Sequence, residues 1–486
     1  MSLAVDEAPP DVTDDRRPGR WDRLGQALFL SAERRAMTWR SAALAVAAVL
    51  AGAAVGLSRT RGQGTLRTIW AEDGSILLTD ALGKSPWHAV TSPLNGYFII
   101  VPRLLAEVTA WTPVSLAAKV LSIEAAVVVA AMAVLVFVAS RAHLPDPALR
   151  LLITVPMVVT PVGALFTPHV LVTLQFLMLY VTFWVLLWVP ATRAGRILGP
   201  VVLVLVGLSS VLIIAFLPLA VLRWALRRDR HSGALVGGLV AGFLVQLGGL
   251  VFGPATRAGI SHPHPDPFWA LAEYAVWGLP YSVLGQHWME PQINDQNGYW
   301  PVPGVHHTTE HAFLILAAWA VVLGAVLLAA RRITNPHWVL AAVAGAYSVG
   351  TLALEMMAMG YVSDTYLVPE ESLVITDRYL IPAFLLLLTA MVAMLRPAGP
   401  LGRHLAAWPA NAWPILAYTT LVVIVCLANF RHDNPRSKSR NWSTAVAEAT
   451  AECRSSGQRE VEVAVGARNW GHAWPQIRIP CAKLTG

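Results

Sequence analysis

Long apolar runs separated by short polar stretches dominate the chain between residues 42 and 427. A transmembrane helix needs about 20 mostly apolar residues, fewer where it is short or re-entrant. The run at 197–222 is too long for one span, and Gly207-Leu208-Ser209-Ser210 lies midway, which predicts a tight hairpin of two short helices. The other predicted spans lie at about residues 42–57, 114–140, 149–165, 170–189, 234–251, 313–330, 338–359, 380–395 and 413–427. This pattern predicts an all-α polytopic membrane protein with about eleven transmembrane helices.

Polar segments divide the chain into three predicted parts. Residues 1–40 form a cytoplasmic leader, with no signal peptide and with disorder expected over 1–35. Residues 41–428 form the transmembrane domain, and residues 429–486 form a polar tail. Loops at 58–113, 253–312 and 360–379 are predicted on the same side of the membrane as the tail. In the first of these loops, the apolar stretch 97–110 predicts an interfacial helix or the beginning of the next span.

Composition agrees with the apolar pattern. Of 486 residues, 56% are hydrophobic and 13% are charged, and the mean hydropathy is +0.55. A soluble chain carries roughly 25% charged residues, so lipid must cover much of this surface. Soluble enzymes, nucleic-acid binders and disordered scaffolds are therefore disfavoured, and membrane lipid is expected to be a partner. The net charge of +7 is explained by arginines on the cytoplasmic side.

The distribution of charge predicts the orientation. With the N-terminus inside, each predicted cytoplasmic segment contains arginine, at 16–40, 141–143, 193–196, 223–230, 331–332 and 396–403. Acidic residues collect in the segments on the opposite side, among them Glu72, Asp73, Asp266 and Glu370. This asymmetry predicts an odd number of spans, a cytoplasmic N-terminus and an extracytoplasmic C-terminus.

The polar tail contains Cys453 and Cys481. An extracytoplasmic, oxidising compartment permits a disulfide between them. Valines alternate with acids at 460–465, and isoleucines flank Arg478, as in half-buried strands. The tail is therefore predicted to be a small α/β element that a disulfide stabilises.

Two adjacent carboxylates, Glu72 and Asp73, follow the first span in Trp70-Ala71-Glu72-Asp73-Gly74. A carboxylate at the boundary of lipid and water can accept the proton of an acceptor hydroxyl, as a general base does. An acidic pair in an outside loop is equally typical of a solvated turn with a helix N-cap.

Two arginines lie at comparable depths. Arg378, in Asp377-Arg378-Tyr379, precedes the span at 380–395 and could hold a phosphate in a bidentate manner. Alternatively, it extends to water from the interface or pairs with Asp377. Arg103 could bind a phosphate too, or form an ion pair with Glu107 one turn later.

The segment Pro93-Leu94-Asn95-Gly96-Tyr97 is a turn by composition. Tyr97 could stack on a sugar, although an aromatic ring at the interface is the commoner role.

Two other groups suggest different chemistry. His307-Thr308-Thr309-Glu310-His311 matches the H-x-x-E-H pattern of zinc peptidases, yet it precedes a membrane span and histidines are plentiful in this loop. Glu124 and Glu355 are acids within predicted spans, which in a transporter would mark the ion or substrate pathway.

Taken together, the chain resembles the GT-C superfamily of membrane glycosyltransferases. The layout is similar: an acidic motif in the first outside loop, a pair of short helices in the middle, a long later loop and an outside tail. Four motifs also look like those of bacterial members, namely Trp70–Gly74, Asn95-Gly96-Tyr97, Pro102-Arg103-Leu104 and Asp377-Arg378-Tyr379-Leu380-Ile381-Pro382.

The resemblance implies a bacterial inner-membrane enzyme and a sugar donor on polyprenyl phosphate. It implies inverting transfer to an extracytoplasmic glycan, lipid or protein. Asp73 is expected to act as general base, with Glu72 second. Arg378 is expected to bind the donor phosphate, with Arg103 second. The expected substrate-binding residues are Asn95, Tyr97, Asp377 and Tyr379.

No cofactor is expected, although the resemblance leaves open a dependence on a divalent metal. Two alternatives also remain: a polymerase or ligase of lipid-linked glycans, which would use outside arginines and the His-rich loop, and a transporter or flippase, which would depend on Glu124 or Glu355.

Overall fold

The computed structural model describes residues 19–31, 38–94, 96–163, 169–252, 266–289, 309–359, 377–399, 401, 409–431, 435–464 and 476–485. This part of the chain is mostly helical, with one small antiparallel sheet. Within it, six helices are long and apolar enough to cross a membrane, and three shorter apolar helices accompany them. The prediction of a helical multi-pass membrane protein is therefore confirmed.

Most helices follow the predicted apolar runs closely, although the helix predicted at 149–165 already ends at Val158. In the first half of the chain they are α1 (Arg20–Leu28), α2 (Trp39–Leu57), α3 (Thr79–Gly83), α4 (Pro86–Thr91), α5 (Ile100–Ala110), α6 (Ala117–Ala139), α7 (Pro147–Val158), α8 (Leu174–Leu187), α9 (Arg193–Gly207), α10 (Leu217–Arg227) and α11 (Arg230–Phe252). In the second half they are α12 (Pro267–Glu273), α13 (Leu279–Leu284), α14 (Gln286–Met289), α15 (Thr309–Ala330), α16 (Trp338–Met359), α17 (Leu380–Leu395), α18 (Trp413–Asn429), α19 (Trp442–Ser456) and α20 (Ala482–Thr485). The strands are β1 (Glu460–Val463) and β2 (Ile477–Pro480).

The centre of the bundle consists of α8 and α17, in which every residue is buried. A helix that is apolar on all sides is stable only where protein or lipid surrounds it, and here protein does. The two helices contact each other, and the hydroxyls of Tyr180 and Thr389 lie 2.8 Å apart between them. Helices α6, α7 and α16 pack around this pair.

The outer helices present apolar side chains on the surface. Leu44 and Leu50 of α2 and Phe313 and Leu316 of α15 are all more than 60% exposed. Exposed apolar surface on this scale requires lipid rather than water. These helices therefore form the lipid-facing side of the bundle.

The segment predicted as a hairpin is interrupted near the predicted position. Helix α9 ends at Gly207, and a 3₁₀ helix covers Val211–Phe216. Helix α10 follows directly, and a two-residue turn connects it to α11. Both α9 and α10 pack against α11. At one crossing, a Cβ on Gly207 would lie 2.8 Å from the Cα of Gly242, so the backbones meet where only glycine fits.

The leader is partly folded, contrary to the expectation of disorder over 1–35. Helix α1 buries Leu28 and packs against α10 and α16. Phe29 follows it, is also buried, and accepts a hydrogen bond of 3.0 Å from Arg227 at its carbonyl oxygen. Helix α1 is mostly polar except at its C-terminal end, and this short apolar stretch was too weak a signal to predict that the helix packs against α10 and α16.

The tail forms the predicted small α/β element. Strands β1 and β2 pair antiparallel with Val461 opposite Ile479, and Cys453 of α19 is bonded to Cys481. The tail also docks on the transmembrane domain, because the indole nitrogen of Trp442 donates to the carbonyl of Val114 at 2.7 Å. The predicted disulfide and both predicted strands are therefore present.

Candidate functional site

The predicted acidic pair lies on the first loop, where the backbone is unusual. Ala71 has φ of 49°, a left-handed conformation that non-glycine residues seldom adopt. Directly after it, Glu72 leads into a single π-helical turn, Asp73–Leu78. Because successive residues of a helical turn point in different directions, the two adjacent carboxylates face different surroundings.

Asp73 points into the protein and is 3% exposed. Its two carboxylate oxygens accept hydrogen bonds from the backbone N–H groups of Leu171 and Val172, at 2.6 and 3.1 Å. Burial raises the pKa of Asp73 to about 7, although these bonds and the nearby Arg436 act in the opposite direction. Both oxygens of the residue predicted as first-choice base are therefore bonded to the first turn that leads into α8.

Glu72 points toward the second predicted motif instead. One of its carboxylate oxygens lies 3.7 Å from a guanidinium nitrogen of Arg378, and the side chain is 27% exposed. Its other oxygen is buried and has no hydrogen-bond partner among the residues that the structure describes. The structure thus joins the acidic motif to the arginine motif through Glu72.

Arg378 belongs to a short 3₁₀ turn, Asp377–Tyr379, immediately before the buried helix α17. Its guanidinium carbon lies 5.4 Å from the ring centre of Tyr379 and 6.0 Å from that of Phe176. Burial by itself lowers the pKa of Arg378, but the nearby Tyr379 and Glu72 outweigh burial and raise it. The guanidinium is therefore a permanent positive charge between aromatic rings.

Tyr97 reaches the same place from the predicted turn. The turn is formed as expected, since Leu94 and Tyr97 exchange two backbone hydrogen bonds and Gly96 has φ of 84°. The amide nitrogen of Gln175, in α8, lies 3.5 Å from the Tyr97 hydroxyl, and Tyr97 interacts electrostatically with Arg378. The turn therefore places the hydroxyl of Tyr97 within electrostatic range of Arg378.

Glu355 approaches from α16, four residues before that helix ends. It is 2% exposed, and it lies within electrostatic range of Arg378 and Tyr379. We refer to the side chains around this arginine as the Arg378 cluster: Glu72, Tyr97, Gln175, Phe176, Glu355, Arg378 and Tyr379. The cluster draws on five separate segments of the chain.

Four of the residues predicted for the site, Glu72, Tyr97, Arg378 and Tyr379, therefore meet in the cluster. Gln175, Phe176 and Glu355 were not predicted for it. A signal existed for Glu355, since an acid inside an apolar run indicates function. The sequence did not show which motif would face it. Gln175 and Phe176 carry no such signal, because α8 reads only as an apolar helix.

Arg103, the second candidate for binding phosphate, is bonded within the first loop in this structure. Its guanidinium donates to Asp80 at 2.9 Å and to the carbonyl oxygen of Ala89 at 2.8 Å, and its side chain is 2% exposed. Its ion-pair partner is therefore Asp80 rather than the expected Glu107. These bonds join α5 to α3 and α4, so Arg103 holds the first loop together.

The remaining predicted positions lie outside the part of the chain that the structure describes. They are Asn95, the side chain of Asp377, and the side chains of the H-x-x-E-H motif at 307–311.

Comparison with protein-family models, with curated proteins and with solved structures finds no match to this chain.

Proposed function

We propose that this protein is a membrane glycosyltransferase that moves a sugar from a polyprenyl-phosphate donor to an extracytoplasmic glycan, lipid or protein acceptor. One observation carries the proposal: the Arg378 cluster unites a carboxylate, a permanent cation and aromatic rings in a membrane protein. A lipid-linked sugar donor has a phosphate, a sugar and an apolar tail, and these three parts correspond to the cation, the rings and the surrounding lipid.

Arg378 is the residue that we assign to the donor phosphate. A guanidinium binds phosphate oxygens through two parallel N–H bonds, and it stabilises the charge that grows on the phosphate as it leaves. Its side chain is 14% exposed, and the carboxylate of Glu72, one of the groups with which it interacts, is 3.7 Å away, longer than a close ion pair. A phosphate is a stronger acceptor, so donor binding would replace Glu72 at the guanidinium.

Glu72 is the residue that we assign as general base. Asp73 was the first choice from the sequence, but backbone N–H groups occupy both of its oxygens. In the proposed step the acceptor oxygen attacks the anomeric carbon and its proton passes to Glu72. The new glycosidic bond forms as the bond from the anomeric carbon to the phosphate oxygen breaks, and the electron pair leaves with the polyprenyl phosphate.

We also propose the finer architecture that the sequence predicts. It has about eleven spans in a GT-C-like arrangement in a bacterial inner membrane, with the N-terminus inside and the tail outside. The disulfide of Cys453 with Cys481 supports an outside tail, since such bonds persist in oxidising compartments. On this orientation the Arg378 cluster faces the outer leaflet.

The test is transfer of radiolabelled sugar by the full-length protein in membrane vesicles. A panel of polyprenyl-phosphate sugars is supplied with crude envelope acceptor, and wild type is compared with Glu72→Gln, Asp73→Asn and Arg378→Ala. The matched control is Glu462→Gln, on the exposed face of β1. We expect transfer by wild type, Asp73→Asn and the control, and at least a 100-fold loss in the other two variants. Such a loss is typical of removing a general base, as in Glu72→Gln, or a group that stabilises the developing charge, as in Arg378→Ala.

Two results would contradict the proposal. If transfer survives in Glu72→Gln and disappears in folded Asp73→Asn, the base is Asp73. If wild type transfers no sugar from any donor, the transporter and polymerase alternatives replace the proposal.

A further inference from the structure

Glu355 is a buried carboxyl group without hydrogen bonds to the residues that the structure describes. Its side chain is 2% exposed, and neither carboxylate oxygen has a hydrogen-bond partner in this part of the chain. Burying a carboxyl group without partners costs free energy that a leucine at the same position would not cost. Such a group is most readily explained by a ligand that supplies the missing donors.

The surroundings of Glu355 define what such a ligand must be. Arg378 and Tyr379 lie within electrostatic range, on the segment before α17, and both belong to the cluster around Arg378. Glu72 contacts the same arginine from the first loop and is 27% exposed. Arg378 is thus flanked by two acids, a partly exposed one on the loop and a fully buried one on α16.

The charges around Glu355 argue against two classes of ligand. An anion would be repelled by the carboxylate, and the guanidinium of Arg378 already offers it a better place. A divalent cation would be repelled by that guanidinium, and no group of three potential ligands occurs among the residues that the structure describes. A neutral group with O–H donors fits both oxygens, and sugar hydroxyls are such donors.

We infer that Glu355 is a substrate-binding residue whose carboxylate accepts hydrogen bonds from hydroxyl groups of a sugar bound beside Arg378. The inference rests on the proposed function and adds a residue that binds the sugar rather than its phosphate. The hydroxyls could belong to the donor sugar or to a sugar acceptor. Kinetics distinguish the two sources, because each substrate has its own KM.

The experiment compares wild type with Glu355→Gln and Glu355→Leu in proteoliposomes. The matched control is Glu124→Gln, a second acid of a predicted span, which accepts a hydrogen bond from Thr109 at 3.0 Å. We measure kcat, the KM for donor, the KM for acceptor and the unfolding temperature. For Glu355→Leu we expect at least a tenfold rise in one KM, a smaller rise for Glu355→Gln, and no rise for the control.

Thermal unfolding separates binding from a structural role. Because the carboxyl group has no hydrogen bond to lose among the described residues and is costly to bury, Glu355→Leu should unfold at the same or a higher temperature than wild type. A donor series lacking single hydroxyls identifies the contact. Removing the hydroxyl that Glu355 binds should raise the donor KM of wild type and should leave the donor KM of Glu355→Leu unchanged.

Each outcome decides something. A rise in the donor KM assigns the hydroxyls to the donor, and a rise in the acceptor KM assigns them to the acceptor. If wild type is active and both KM values stay within twofold in the variants, the inference is wrong and the proposed function stands. If the variants unfold at a lower temperature and lose kcat alone, Glu355 is structural. If wild type transfers nothing, both proposals fall.

Discussion

Glu72 and Asp73 are neighbours in sequence, yet the structure gives them opposite surroundings. Asp73 accepts two N–H groups at the beginning of the segment that becomes α8, as a capping residue does, but from a distant part of the chain. Glu72 lies beside Arg378, and one of its oxygens is buried without a hydrogen-bond partner among the described residues. At the scale of single residues, one of two adjacent acids is therefore bonded through both oxygens to the protein, and the other is the one that we propose for chemistry.

The substitution Asp73→Asn should reduce stability more than activity. Its amide replaces one accepting oxygen by a donor that would face the N–H of Leu171 or Val172, and losing such a bond costs about 1–3 kcal/mol. The measurement is the unfolding temperature in detergent above pH 7.5, where the carboxylate of Asp73 is ionised, together with transfer at a temperature where the variant is folded. Glu72→Gln is the comparison, and we expect it to unfold as wild type does. Equal stability of the two variants would contradict the assignment of Asp73 as a cap.

The titration of Asp73 gives a second prediction. Its pKa rises from 3.8 to about 7 on folding because the carboxyl group is buried. Between these values the folded protein holds a proton that the unfolded chain has lost, so stability falls as pH rises through this window and is level above it. The unfolding temperature of wild type, measured relative to that of Asp73→Asn, should therefore fall as the pH rises from about 5 to 7.5. If the unfolding temperature of wild type instead rises relative to that of the variant over this pH range, the N–H groups keep Asp73 ionised.

At the scale of elements, the tail supports the loop that carries the acids. Ile477 of β2 packs on Gly74, where an added Cβ would lie 2.6 Å from its Cδ1 atom and 2.7 Å from the Cγ2 of Ile69. The backbone N–H of Arg478 donates to the hydroxyl of Thr79 at 3.1 Å. The disulfide closes the tail behind β2. The tail thus fixes the position of the π-helical turn that follows Glu72.

Gly74→Ala should therefore lower both stability and transfer. Overpacking of this kind typically costs about 1–3 kcal/mol. The matched control is Gly83→Ala, where an added Cβ meets nothing within 4 Å. Adding Ile477→Val, which removes the nearest of the clashing atoms, should restore part of the loss. No effect of Gly74→Ala on unfolding temperature would mean that β2 moves aside freely.

Removing the disulfide should loosen the same support. The double variant Cys453→Ser/Cys481→Ser should lose about 2–5 kcal/mol of tail stability, as is usual for a native disulfide in a small element. We expect faster limited proteolysis within residues 435–485 and reduced transfer. Cys426→Ser, which changes the buried free cysteine of α18, is the control. Unchanged proteolysis would show that packing alone holds the tail.

At the scale of the whole molecule, the arrangement places polar chemistry at the edge of an apolar bundle. The two fully buried helices, α8 and α17, contribute Phe176 and the segment of Arg378 to the cluster. More exposed helices such as α2 and α15 face lipid. A lipid-linked substrate could therefore approach the cluster from the membrane while its polar head meets the arginine.

The orientation that the charges predict can be measured. Alkaline phosphatase fused after Gly486 should be active in a bacterial host, because that enzyme needs an oxidising compartment for its disulfides. The same enzyme fused after Arg332, in the turn between α15 and α16, should be inactive. Activity in the second fusion and not in the first would reverse the predicted orientation.

The sequence alone determined the class of protein. Apolar runs of membrane length appear directly as helices, because each span must satisfy its own backbone hydrogen bonds in lipid. The strands and the disulfide of the tail were also predictable, since alternation of side chains and the pairing of two cysteines are local signals. The break near Gly207 and the turn at Tyr97 were predicted for the same reason.

Only the tertiary structure decided which residues form the site. Sequence could not tell Glu72 from Asp73, because the direction of each side chain depends on the backbone at Ala71 and on α8, about 100 residues away. The sequence predicted phosphate binding for both Arg103 and Arg378. The structure distinguishes them, because Arg103 is paired with Asp80. Glu355 belongs to the cluster because α16 packs against α17, a contact that the sequence does not reveal. Contacts between distant segments depend on packing, which no local pattern of residues specifies.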